Sequence, residues 1–227
     1  MEMKKKFYLL ANTSKPSGYS GECLGAEYDM ANACPNCGTG YKLIGNLPVK
    51  AVKLEKDFIQ TLDRDYLISD KLFSALNLAD IKVENLLHAI NSKSKEELRY
   101  YHLKPDFSFP KMLPESEGIT TDEQCPICKR NGFFGDVVFA KNDKGEIESG
   151  SIVPAKYKYQ IESADFLEQA DFYSTWEHFG TSNLVAKGNK VIGYARPLLI
   201  VSERVKSVFE NMNIKNVSFE EIFIQEK

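Results

Sequence analysis

Short apolar runs, broken by polar stretches rich in glycine and proline, set the pattern of this chain. Residues 6–11, with the run Phe7 to Ala11, predict an opening strand, ended by a turn-rich segment carrying Pro16, Gly18 and Gly21. Residues 24–33 are ambiguous and accommodate a short strand, and weak alternation over 49–54 predicts a half-exposed one. Tyr66, Leu67 and Ile68 then run into Ser69, after which Leu72, Ala75, Leu76 and Ala79 recur at helical spacing. That is a strand, an N-cap and an amphipathic helix.

The same arrangement returns near the end of the sequence. Leu198 to Val201 leads into Ser202, and Val205, Val208, Phe209 and Met212 line one helical face. Setting Ser69 on Ser202 places Asp70 on Glu203, Lys71 on Arg204, Ser74 on Ser207, Ile81 on Ile214 and Lys82 on Lys215, at a constant offset of 133. Ser69 and Ser202 would each accept a hydrogen bond from a first-turn amide, with Asp70 and Glu203 at the positive end of the helix dipole. Strand-cap-helix is a common unit, so chance similarity and internal duplication both account for the match.

Between the copies, Leu98 to Leu103 reads as a strand, and Pro105, Pro110 and Pro114 exclude a helix after it. Phe133 to Ala140 reads as a strand turned by Asn142, Asp143, Lys144 and Gly145. Tyr157 to Ile161 is another strand, Ser163 to Ala170 a short helix, and 171–183 an irregular aromatic segment. Val191 to Tyr194 and Val217 to Ile224 complete the strands. With no linker dividing the chain, the expected fold is α+β: a mixed or antiparallel sheet with short helices around a four-cysteine zinc-knuckle site. Residues 1–227 would form one intertwined domain, or two lobes joined through that site.

A length of 227 residues, 43% hydrophobic and 11% aromatic, is enough to bury a sizeable core. The 29 basic and 32 acidic residues give a formal net charge of -3, which supplies no long-range pull toward phosphate backbones. The apolar run after Lys4, Lys5 and Lys6 is too short for an export signal or for the roughly 20 residues that cross a bilayer. The expected setting is therefore the cytoplasm, without membrane contact.

Four of the five cysteines form two close pairs, Cys34-Pro35-Asn36-Cys37-Gly38 and Cys125-Pro126-Ile127-Cys128-Lys129. Two intervening residues let a tight turn aim both sulfurs at one ion while its amides donate to the thiolates. Cys34, Cys37, Cys125 and Cys128 would thus fill a closed tetrahedral structural zinc site of formal charge −2, with Lys129 offering positive charge nearby. A thioredoxin-like redox pair would need a long helix after Cys37, which Gly38, Thr39 and Gly40 oppose. Other readings are two metal sites completed by His88, His102 or His178, and plain buried or surface cysteines. Cys23 reads as a buried small residue, with a substitute ligand as its alternative.

Nucleotide-binding loops, His-Glu-x-x-His and Gly-x-Ser-x-Gly do not occur. Glu177 and His178 carry the nearest thing to acid-base chemistry, which a hydrolase could use, against an ordinary folded loop. Asp165, Glu168, Asp171, Phe172, Tyr173, Trp176, Glu177, His178 and Phe179 form the candidate interface, against a solvated face. Arg99, Tyr100, Tyr101 and His102 mix basic and aromatic groups as nucleic-acid strands do, but alternation on a half-buried strand explains them equally.

The two knuckles, together with Leu199-Ile200-Val201-Ser202-Glu203-Arg204, resemble the bacterial double-CxxCG proteins known from myxobacterial paralogues and assigned to toxin immunity. Lys129 departs from that pattern, where glycine would stand. The resemblance implies a small cytoplasmic, non-enzymatic immunity protein that binds and neutralises a cognate protein toxin. It carries over the zinc-binding cysteines alone. A nucleic-acid-associated zinc module and a hydrolase using His178 and Glu177 are the alternatives.

Overall fold

The computed structural model describes residues 5–50, 54–81, 83, 86–135, 137–141, 147–180, 182–185, 190–193 and 195–227. The turn expected at 142–145, together with Lys82, Tyr194 and residues 51–53, lies outside them. In the first part of the chain the strands are β1 (Phe7–Asn12), β2 (Tyr19–Ser20), β3 (Glu27–Asp29), β4 (Lys42–Ile44), β5 (Pro48–Lys50), β6 (Phe58–Gln60) and β7 (Tyr66–Ser69). Helix α1 (Asp70–Leu78) follows, then β8 (Leu87–Asn91), β9 (Glu97–Leu103), β10 (Phe107–Ser108), β11 (Ile119–Thr121), β12 (Phe133–Gly135), β13 (Val137–Lys141), β14 (Ile147–Ile152) and β15 (Lys158–Ile161). The chain continues with β16 (Phe172–Phe179), β17 (Ser182–Val185), β18 (Lys190–Gly193), β19 (Arg196–Ser202), α2 (Glu203–Asn211), β20 (Val217–Glu221) and β21 (Phe223–Glu226).

The fold is α+β and dominated by sheet. A six-stranded sheet has the order β2-β5-β8-β9-β7-β6 and a five-stranded one the order β10-β16-β19-β1-β20. Most pairs are antiparallel, with β5–β8, β10–β16 and β15–β21 parallel. No helix among the described residues is long and apolar enough to cross a membrane.

The two sheets contain the same four-stranded unit. In the first, β7 lies between β6 and β9, pairing Ile68 with Phe58 on one side and Tyr101 on the other, and β8 pairs His88 with Tyr101. In the second, β19 lies between β16 and β1, pairing Val201 with Phe172 and Tyr8, and β20 pairs Glu221 with Tyr8. The offset of 133 therefore holds without a gap from β7 through α1 to β8, as far as His88 and Glu221. The chain's first strand takes in the second unit the place that β9 takes in the first.

Alternation explains the packing. Tyr8, Leu10, Leu199, Val201 and Phe172 join Phe58, Tyr66, Ile68 and the buried faces of both helices in one shared core. The intervening Phe7, Leu9, Ile200 and Tyr173 face a second core behind the five-stranded sheet, and Ile59 and Leu67 face a third behind the other. Strands buried on both faces read as continuous apolar runs rather than alternating ones. Each helix ends on a left-handed residue, Asp80 (φ 53°) and Asn213 (φ 55°), after which Ile81 and Ile214 donate to the carbonyls of Leu76 and Phe209, both at 3.0 Å.

Two sequence expectations need correction. The segment expected to be irregular at 171–183 contains the eight-residue strand β16, whose Ser174, Thr175 and Glu177 are buried polar positions that hide the apolar pattern. Cys23, expected to be buried, is exposed on the short 3-10 helix Gly21–Leu24. The strands read at 133–140 and 217–224 are also each divided into two.

Candidate metal centre

Each cysteine pair sits at the tip of its own antiparallel hairpin. Strands β3 and β4 pair Tyr28 with Leu43 and hold the loop of Cys34 and Cys37, while β11 and β12 pair Thr120 with Phe134 and hold that of Cys125 and Cys128. The two turns close alike: the Gly38 amide donates to the Cys34 carbonyl at 2.8 Å and that of Lys129 to Cys125 at 3.1 Å. Both residues are left-handed, Gly38 at φ 74° and Lys129 at φ 56°. Lys129 therefore holds the conformation that glycine supplies in the first knuckle, at steric cost.

Outside the turns the knuckles differ. The Cys34 amide donates to the Thr39 carbonyl at 2.9 Å, whereas the Cys125 amide donates to Oδ1 of the buried Asn131 at 2.8 Å. The second hairpin is anchored to the five-stranded sheet, with the His178 amide donating to the Arg130 carbonyl and the Gly132 amide to the Gly180 carbonyl at 2.7 Å. Gly132, at φ 77°, leaves no room for a side chain, since a Cβ there would lie 2.3 Å from the Asp122 carbonyl oxygen.

These hairpins bring four sulfurs together from sites 91 residues apart. Cys34 and Cys125 Sγ lie 3.7 Å apart and Cys37 and Cys128 Sγ 3.5 Å, and all four lie within 4.8 Å of one another. Disulfide sulfurs would be at about 2.05 Å. Four thiolates at about 2.3 Å from a central ion would make a tetrahedron with edges of roughly 3.8 Å, so the cluster has the size of a four-coordinate metal site. Cys34, Cys37 and Cys125 are buried and Cys128 is partly so.

The surroundings favour ionisation unevenly. Burial pushes the Cys37 thiol up to about 12 and raises that of Cys128 as well. For Cys125 burial acts the same way, but the amides of Cys128 and Ile127 and the Asn36 side chain together outweigh it and hold the thiol at about 6. Asn36 Nδ2 donates to Cys125 Sγ at 3.3 Å, and Thr39 Oγ1 lies 3.1 Å from Cys37 Sγ. Four crowded thiols do not all ionise at neutral pH without a cation, and a metal ion held among them would supply that charge.

The remaining candidates are scattered. Phe172, Tyr173 and Phe179 lie in the cores. Trp176 is half-buried between Lys111 Nζ, 5.6 Å from its ring centroid, and the Arg130 guanidinium, at 5.4 Å. Glu177 is buried and accepts from the Met112 amide at 2.8 Å through Oε1, while Oε2 has no hydrogen-bond partner among the described residues. Glu177 and His178 are neighbours on β16 at a register irregularity, and each is engaged elsewhere, Glu177 Oε1 with the Met112 amide and His178 Nδ1 at 3.2 Å from the Trp176 carbonyl. Asp171 joins Ser202 and Arg204, and Asp165 and Glu168 are exposed, Glu168 pairing with Lys5.

His88 and His102 sit elsewhere, His88 Nδ1 at 3.0 Å from the Leu98 carbonyl and His102 beside Asp65. Sequence reasoning missed Asn36, Thr39 and Asn131 as supports of the centre. Their polar character next to the cysteines was the available signal, but which atoms they serve depends on the turn geometry. No family model, curated protein or solved structure matches this chain.

Proposed function

We propose that Cys34, Cys37, Cys125 and Cys128 hold one structural zinc ion, and that the protein is a zinc-stabilised, non-enzymatic immunity protein that binds and neutralises a bacterial toxin. The observation that carries the metal assignment is the set of four sulfurs within 4.8 Å of one another, drawn from two separate hairpins. Thiolates are soft ligands that suit zinc, and a site filled by four protein ligands leaves no position for substrate water. The nearby Arg130 and Lys129 offset the net negative charge of such a centre.

The toxin assignment rests on the resemblance of the two knuckles and the Leu199–Arg204 segment to double-CxxCG proteins. Of the candidate interface, Asp165 and Glu168 are exposed and Asp171, Trp176 and His178 half-buried, so contact through these members would need no unfolding of the core. The test is elemental analysis of reduced, purified protein together with co-expression beside the neighbouring secreted gene product. One zinc per chain and rescue of growth, with both proteins recovered as a complex, support the reading. Metal-free folded protein defeats the first half, and failure to rescue or co-purify defeats the second.

A further inference from the structure

A cavity of about 130 Å³ lies in the seam between the two repeated units, beneath the first cysteine hairpin. Its floor is built from the ends of β7 and β9 on one side and of β16 and β19 on the other, and Tyr28, Tyr41 and Leu43 close it from above. Those three belong to the hairpin that carries Cys34 and Cys37, so one wall is fixed by the metal centre. A cavity of about 150 Å³ admits benzene, so this space takes a compact organic molecule.

The charge around the space is unbalanced. Arg64, Lys104 and Arg196 line it, and Asp65 is the acidic group among the lining residues. Asp65 is already engaged, its Oδ2 accepting from Ser20 Oγ at 2.7 Å and its Oδ1 lying 3.6 Å from Arg196 Nε and 3.8 Å from His102 Nε2. Behind it, Glu22 Oε1 is 3.5 Å from Arg196 NH2, and the Arg196 guanidinium stacks over Tyr41 at 5.4 Å. Arg64 crosses the seam, donating to the Phe179 carbonyl at 2.7 Å from a left-handed backbone at φ 65°. The positive surplus is also felt by the ring of His102, whose pKa is lowered by burial and by Lys104 and Arg196 in spite of Asp65. The Lys104 ammonium is likewise held down by burial and by Lys42.

We propose that this cavity binds a small monocarboxylate with a compact apolar body, its carboxylate balanced by Arg64 and Lys104, beside the carboxylate-paired Arg196, and its body packed against Leu43, Leu103 and Leu199. The apolar walls suit a planar or branched body, and the cationic rim discriminates against its neutral isosteres. This binding is independent of the toxin reading, because its occupant is a small molecule and its readout needs no partner protein.

The experiment is calorimetric titration of the full-length, metal-loaded protein with benzoate, benzamide and inorganic phosphate. Benzoate is expected to bind saturably at one site, about tenfold or more tighter than benzamide, as a charge-assisted contact would give. Lys104 is solvent-exposed at the cavity rim although its ammonium is partly desolvated there, so Lys104→Glu disturbs no core and is expected to weaken benzoate by about tenfold or more. Leu43→Trp, which fills the space, is expected to abolish binding while metal content stays at the wild-type level. Equal affinity for benzoate and benzamide, absence of saturation, or unchanged binding by Lys104→Glu would overturn the proposal. Tighter binding of phosphate than of benzoate would overturn the carboxylate assignment.

Discussion

Ser69 and Ser202, 133 residues apart, make the same set of contacts. Each hydroxyl accepts from a first-turn amide, Leu72 at 3.1 Å and Val205 at 3.4 Å, and donates to the aspartate just before the neighbouring strand β6 or β16, Asp57 at 2.6 Å and Asp171 at 2.5 Å. Each amide donates to that aspartate's carbonyl, and each aspartate also meets the basic residue two positions after the serine, Lys71 or Arg204. The copy thus reaches side-chain hydrogen bonding as well as backbone path, which chance similarity of a common motif does not explain.

Alanine at either serine removes a cap and leaves an aspartate oxygen without its donor. Ser69→Ala and Ser202→Ala should each lower unfolding free energy in urea by about 1–2 kcal/mol. Ser202 is buried and Ser69 half-buried, so Ser202→Ala should cost more. Equal midpoints for both variants and the wild type would show that the shared network is not stabilising.

Much of this unit was legible in the sequence. The serine caps, the apolar helix faces and the runs Tyr66–Ile68 and Leu198–Val201 follow from short-range physics, and the cysteine pairs announce their chemistry through residue type and spacing. The partner strands were not legible, because Asp57 and Phe58, or Asp171 and Phe172, gain meaning from a register formed across the sheet. β16 was obscured for a related reason: Ser174 donates or accepts with Ser108 Oγ at 2.7 Å and Thr175 Oγ1 donates to the Glu177 carbonyl, so polar side chains are satisfied inside a layer that apolar periodicity does not reveal. The meeting of Cys34 with Cys125 depends on both sheets and could only be supposed from the matching turns.

Two left-handed positions of the second hairpin, Lys129 and Gly132, should respond oppositely to substitution. Lys129→Gly relieves a strained backbone of about 1–2 kcal/mol against a glycine entropy cost of about 0.5–1 kcal/mol, for a net gain of up to about 1.5 kcal/mol. Gly132→Ala drives a Cβ into the Asp122 carbonyl and should lower stability by several kcal/mol or prevent folding. Thermal melts at equal metal loading separate these effects, and a destabilised Lys129→Gly would contradict the turn geometry.

His178 should make stability depend on pH in a defined direction. Burial, aided by the charge of Arg130, pushes its pKa down to about 3, whereas an unfolded histidine titrates near 6.5. Between those values the unfolded chain binds a proton that the folded one does not, so this contribution is fully present above about pH 6.5 and is lost as pH falls toward 3. Moving from pH 8 to 5.5 should cost about 1 kcal/mol through this group. The buried Glu177, raised by burial, acts with opposite sign, its contribution being lost as pH rises through its elevated pKa. Comparing His178→Gln with the wild type cancels Glu177 and His102, and the variant should show the flatter profile over that range.

Metal removal should act on both hairpins at once. The two loops are closed locally by their own turns, but among the described residues the contacts joining Cys34 to Cys125 and Cys37 to Cys128 run through sulfur. A strong chelator at neutral pH, or Cys34→Ser or Cys128→Ser, should therefore lower metal content and melting temperature together, because coordination and native folding share one free energy. Cys23→Ser should change neither, since Cys23 is exposed and outside the cluster. The first hairpin also roofs the cavity through Tyr28 and Tyr41, so the chelated protein should lose benzoate binding before it unfolds. Retention of full thermal stability after complete metal removal would mean that the hairpins are held by the sheets alone and that the four thiols are not a structural clamp.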